Sequence, residues 1–216
     1  MNLYGAEEFL KDYPDMSFSP MKGSELFLRG TLKFKARFQG TQPIEDKYEL
    51  EIAVPENFPY ELPKVRELEQ KIPRDLNHHI NPDDTLCLGS PLRMIMKLYK
   101  SPTLNTYAEE CLIPYLYAVS YKLQNGGDFV FGELEHGGKG LISDYLDILN
   151  LDKSEQVIKS LSLLSMKKRV ANKKICPCGC YKKLGSCIFH LKMNELRKVA
   201  PRSFFKIHLQ DIKQEL

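Results

Sequence analysis

Pro55-Glu-Asn-Phe-Pro-Tyr-Glu-Leu-Pro-Lys-Val65, followed by His79-Ile-Asn-Pro-Asp-Asp-Thr-Leu-Cys87-Leu88, is the stretch on which the reading of this 216-residue chain turns. Pro55, Pro59 and Pro63 each lack an amide donor and restrain the residue before them, so regular helix or central strand is excluded there. Upstream, Leu32, Phe34, Ala36 and Phe38 fall at every second position, as do Tyr48, Leu50, Ile52 and Val54. That period belongs to half-buried strands. With Gly40 to Asp46 supplying the turn, the expected arrangement is an antiparallel meander ending in the proline-punctuated loop. Downstream of the loop stands one cysteine, Cys87, and a thiol is the common side chain best suited to carrying an acyl group as a thioester.

Outward from this centre, residues 4–12 suit a short helix. The spacing of Leu112, Tyr115, Leu116, Val119 and Leu123 predicts an amphipathic helix over 106–124, with Pro114 as a local cost and Gly126-Gly127 closing it. Further helices are expected around 141–149 and over 154–170. Cys111 falls on the 106–124 helix among apolar neighbours and reads as core packing. The segment from Phe131 to Gly140 holds Glu133, Glu135, His136 and four glycines. It suits either a turn between helices or a loop folding over the thiol, with His136 as a proton-transfer residue.

Charge is unevenly placed. Residues 1–150 carry 16 Lys and Arg against 23 Asp and Glu, whereas residues 151–216 carry 15 against 5. Such a change of sign suggests a domain boundary and an appendage with an acidic partner, or a solvated basic surface. No apolar run approaches the ~20 residues needed to span a bilayer, so no membrane association is expected. The first residues lack a basic stretch followed by an apolar one, which points to the cytoplasm and to reduced thiols. Six cysteines in that setting read as metal ligands or nucleophiles.

Five potential ligands, four cysteines and one histidine, fall within fifteen residues in Cys176-Pro-Cys178-Gly-Cys180-Tyr-Lys-Lys-Leu-Gly-Ser-Cys187-Ile-Phe-His190. Thiolate and imidazole donors at this density fit one structural Zn2+, with Cys176, Cys178, Cys187 and His190 as ligands. Cys180 is either a spare thiol or a competing ligand. The stretch resembles the SEC-C motif, departing from it at Cys180 and in the two residues before His190. Lysines around it could attract nucleic acid, but aromatic residues for stacking are few (Tyr181, Phe189, Phe204 and Phe205), so protein docking is preferred.

The opening stretch is similar to the active-site region of ubiquitin-conjugating enzymes, where a Pro-x-x-Phe/Tyr-Pro-x-x-x-Pro-x-Val loop precedes a His-Pro-Asn triplet and the catalytic cysteine. The resemblance implies an α+β fold over 1–150, an antiparallel meander with flanking helices. A basic helical linker over 151–172 and a zinc-binding segment over 173–216 would follow. It implies Cys87 as nucleophile, Asn81 as support for the oxyanion or as a pin for the loop, and Asp83 and Asp84 as acids that orient or deprotonate an incoming lysine amine. The triplet here reads His79-Ile80-Asn81, two residues closer to the cysteine than in the family, and a gapless alignment places His79 where the asparagine belongs. The identity of the polar helper therefore stays open between His79 and Asn81. The family's Trp-x-Pro segment is replaced by Tyr99-Lys100-Ser101-Pro102. These departures suit a divergent, bacterial member. By the same resemblance the partners would be a donor protein with a reactive C-terminus (a ubiquitin-like protein or a nucleotide cyclase in an antiphage operon), a lysine-bearing acceptor and an activating enzyme. The alternatives are a non-catalytic module that binds ubiquitin-like proteins and a zinc-knuckle nucleic-acid binder.

Overall fold

The computed structural model describes residues 4–38, 40–130 and 137–215, and the chain divides into two compact units, Met1–Glu133 and Leu134–Leu216. The first unit is α+β. Helix α1 (Ala6–Asp12) leads into strands β1 (Met16–Lys22), β2 (Glu25–Ala36), β3 (Ile44–Val54) and β4 (Lys64–Glu67), which form one antiparallel sheet in the order β1-β2-β3-β4. Helices α2 (Pro91–Leu98), α3 (Leu104–Tyr107) and α4 (Ile113–Asn125) follow.

The period-two residues face the core as expected. Leu28 pairs with Ile52 and Leu32 with Tyr48 across β2 and β3, and all four are almost fully buried. Truncating any one of the aliphatic members to alanine costs about 2–5 kcal/mol at such sites. Gly30 pairs with Met16 at the start of β1: a Cβ there would stand 2.2 Å from the Asp15 carbonyl oxygen, so only glycine fits.

The helix expected over 106–124 is a longer run, α3 and α4 joined by a π-helical turn at Ala108–Leu112. Pro114 explains the turn, since its missing amide removes one rung of the ladder just there. Cys111 is buried in the core as expected, whereas Leu123 is 42% exposed and leaves the apolar stripe. The Tyr48 hydroxyl donates to Ser120 Oγ (2.7 Å), which donates to Asp46 (2.7 Å), so a buried polar chain fixes α4 against β3.

The second unit is helical: α5 (Gly137–Leu149), α6 (Ser154–Leu164), α7 (Lys168–Ala171), α8 (Phe189–Val199) and α9 (Arg202–Glu215). This divides the chain differently from the expected 1–150, 151–172 and 173–216. Helix α5 packs on α6 and α9, with Tyr145, Leu149, Val157, Leu161, Phe205 and Ile212 buried among them, so α6 within 151–172 is part of a core, while residues 167–170 are exposed. The helix expected over 154–170 breaks after Leu164 and resumes as the short α7. Among the described residues no helix is long and apolar enough to cross a membrane.

Candidate thiol site and metal centre

Cys87 is carried on a short hairpin outside the main sheet. Ile80 bridges Leu86, and both are buried, which anchors the two arms in the core. The Leu86 amide donates to the Val65 carbonyl of β4 (2.8 Å) and the Cys87 amide to the His79 carbonyl (2.8 Å). The backbone on the N-terminal side of the thiol is thereby fixed, while a Cβ built on Gly89 would meet nothing within 4 Å. Cys87 itself is half-buried. Burial raises its pKa above the ordinary thiol value, and the Gly89 amide, hydrogen-bonded to the sulfur, offsets part of the rise. At neutral pH the group rests as a thiol.

The hairpin tip consumes the polar residues that the sequence singled out. Asn81 Nδ2 donates to Thr85 Oγ1 (3.0 Å), and Thr85 Oγ1 donates to Asp83 (2.6 Å). The Asn81 carbonyl accepts from the Asp84 amide (2.9 Å). Asn81 is thus bonded within the hairpin tip through both its side chain and its backbone carbonyl. The Thr85 hydroxyl, its amide and the Lys64 and Arg66 charges together hold Asp83 below the usual carboxylate range, although burial acts the other way. Lys64 stands 3.8 Å from Asp83, and Arg74 3.9 Å from Asp84. His79 adopts a left-handed backbone (φ 53°) and packs edge-on against Phe129 at 4.6 Å. His136 lies outside the described residues.

Sequence reading missed how α4 holds the turn preceding Cys87. Tyr115 donates to the His78 carbonyl (2.8 Å) and Lys122 to the Asn77 carbonyl (2.8 Å). The two are seven residues apart, hence two turns along one helix face. Lys122 also stands 4.9 Å over the Phe129 ring, and Phe129 contacts Tyr115 as well. The signal was present as that spacing, but Tyr115 reads as core in an apolar stripe.

The second centre is the cysteine cluster. Cys176, Cys178, Cys180 and Cys187 bring their sulfurs within 4.8 Å of one another, with Cys176–Cys178 at 3.2 Å and Cys178–Cys187 at 3.6 Å. A hairpin builds it: the Cys176 amide donates to the Lys182 carbonyl (2.8 Å) and the Leu184 amide to the Lys174 carbonyl (2.8 Å). Gly179 (φ 88°) and Tyr181 (φ 60°) turn the chain between the arms. The expected ligand set needs one correction. Cys180 joins the group, whereas the His190 ring is outside it, donating from Nδ1 to the Cys187 carbonyl (2.7 Å). The physical reason is that the left-handed residues fold Cys180 back beside Cys178, while His190 already belongs to α8.

Four sulfurs so placed fit one metal ion, since tetrahedral zinc–thiolate bonds of about 2.3 Å put sulfurs roughly 3.8 Å apart. Burial raises the Cys176 and Cys178 pKa values, while the Lys182 amide, and then Cys178, pull Cys180 down to about 7. Thiols this close cannot all ionise without a cation.

Comparison with protein-family profiles, with curated proteins and with solved structures yields no match.

Proposed function

We propose that the first unit is a ubiquitin-conjugating-like acyl transferase with Cys87 as its nucleophile. The observation that carries this reading is the rigidly bonded backbone leading to a half-buried thiol, with open space at Gly89 just beyond it. In the reaction, the Cys87 sulfur attacks the activated C-terminal carbonyl carbon of a donor protein. A C–S bond forms, and the donor's activating group leaves with the thiol proton. An acceptor lysine amine then attacks the same carbon, the C–N bond forms, the C–S bond breaks, and the amine proton returns to the Cys87 thiolate or to solvent. Asp83, held as a carboxylate, attracts the lysine by charge and is too weak a base to deprotonate it alone. Asn81 acts by fixing the loop.

The cluster of Cys176, Cys178, Cys180 and Cys187 is proposed to hold one structural Zn2+. A set of four protein thiolates leaves no open position, so the ion would order the hairpin and take no part in acyl transfer.

The test uses a glycine-terminated peptide thioester as donor, with adducts mapped by mass spectrometry. Cys87 should acquire an acyl group that hydroxylamine removes and that free lysine discharges. Cys87→Ser should form a slower-reacting oxyester or nothing, and Cys87→Ala nothing. Equal labelling of the alanine variant would reject the reading.

A further inference from the structure

Residues 156–194 contain nine Lys and Arg and no Asp or Glu, so 39 consecutive residues offer no internal counter-charge. The fold gathers part of this stretch onto one hairpin. Ile175 pairs with Lys183, which places Lys173 and Lys174 alongside Lys182 and Lys183, and all four lysines are exposed. Arg169, Val170, Lys173 and Lys174 line one concavity next to it.

At the turn of this hairpin stands Tyr181. It is 89% exposed, and its backbone is left-handed at φ 60°, where a bulky side chain is uncommon. A large aromatic ring left in water at a sparsely populated backbone angle invites a functional explanation. Ile175 (62% exposed) and Ile188 (81% exposed), each adjacent to a cluster cysteine, extend the apolar surface. The other aromatic candidates, Phe189, Phe204 and Phe205, are buried and belong to the helical core.

We propose that this hairpin binds single-stranded nucleic acid, with Lys173, Lys174, Lys182 and Lys183 on the phosphates and a base stacked on Tyr181. Two considerations favour this over the acidic protein surface that composition alone suggests. Protein interfaces are depleted in lysine, whereas phosphate backbones are met by clustered lysine and arginine. A single projecting ring flanked by cations also suits stacking on an unpaired base, because every base has a face to offer. The proposal is independent of the acyl-transfer reading, since it uses no residue of the first unit.

The test is fluorescence anisotropy of labelled twelve-residue oligothymidylate and oligouridylate with the full zinc-loaded chain. Both should bind more tightly than a duplex of equal length. The logarithm of affinity should fall with the logarithm of salt at a slope of about −3, the value for roughly four phosphates on a single strand. Tyr181→Ala should weaken binding about 5- to 100-fold at unchanged zinc content and unchanged salt slope, and Tyr181→Phe should bind like the parent. Alanine at the four lysines should flatten the slope, while Cys87→Ala should bind normally. A preference for oligouridylate would identify RNA as the natural ligand, and a preference for oligothymidylate DNA. No binding at 50 mM salt, equal binding of duplex, or parental affinity in Tyr181→Ala would overturn the proposal. So would polyglutamate competing as well as the oligonucleotides, which would reassign the surface to an acidic protein.

Discussion

The same side chain stands in two different settings in the two units. In the first unit the hairpin of Cys87 is anchored by the buried Ile80 and Leu86 and by α4, and burial raises the pKa of its thiol. The four cysteines of the second unit stand close enough to hold one metal ion, on a hairpin whose exposed surface includes Ile175, Tyr181 and Ile188. One site is ordered by its core and leaves a thiol free for chemistry. The other gathers its thiols where one proposed metal ion would order them. Under the proposed readings, local density of thiols, rather than the residue type, would separate reagent from scaffold.

The largest effect expected from attacking this contrast is at the hairpin. Apparent zinc affinities in such small sites correspond to about 10–16 kcal/mol. Chelation should therefore abolish hydrogen-exchange protection over about residues 172–188 while the helices of the second unit stay protected. Elemental analysis should find one zinc per chain. Cys180→Ser should lower zinc affinity strongly and His190→Ala only slightly; the reverse order would restore His190 as ligand.

A smaller effect concerns the helical core behind the hairpin. His208 is buried, its Nδ1 is 2.8 Å from the Tyr145 hydroxyl, and burial pushes its pKa down to about 4. The unfolded chain, with an ordinary histidine pKa of about 6.5, binds the proton more readily. Stability from this group is thus fully present above about pH 6.5 and is lost as pH falls toward 4, a change on the order of 3 kcal/mol. Denaturant midpoints of the second unit should show that loss, and His208→Phe should remove it. An unchanged pH profile in that variant would mean that other groups carry the acid sensitivity.

The smallest effect tests whether α4 positions the thiol. Tyr115→Phe removes one hydrogen bond to the His78 carbonyl, worth about 1 kcal/mol of stability. Iodoacetamide labelling of Cys87 should change in rate, with its rise toward alkaline pH retained, while the buried Cys111 stays unlabelled. No change in Cys87 labelling would leave Tyr115 a packing residue only.

Much of the first unit was legible because period-two alternation maps directly onto a sheet with one buried face. The edge strands β1 and β4 escaped: β1 carries Pro20 and few apolar residues, and β4 is only four residues long. Helices α8 and α9 were missed because Phe204, Phe205, His208 and Ile212 are interleaved with lysines, which drew attention to charge rather than period. The cysteine cluster was legible from cysteine density, but not that Cys180 joins it while His190 stays outside. That difference is made by left-handed backbone at Gly179 and Tyr181, and spacing does not encode it. At Cys87, the residue types pointed to the turn, while the partners that fix it from α4 lie 28 and 35 residues further along the chain.

The most direct test of the contrast is to expose zinc-loaded and chelated protein to the same peptide thioester and map every acylated cysteine. The account predicts acylation of Cys87 in both samples, and of Cys176, Cys178, Cys180 and Cys187 only after chelation. Acylation of the cluster in the zinc-loaded protein, or failure of Cys87 to react in either sample, would contradict it.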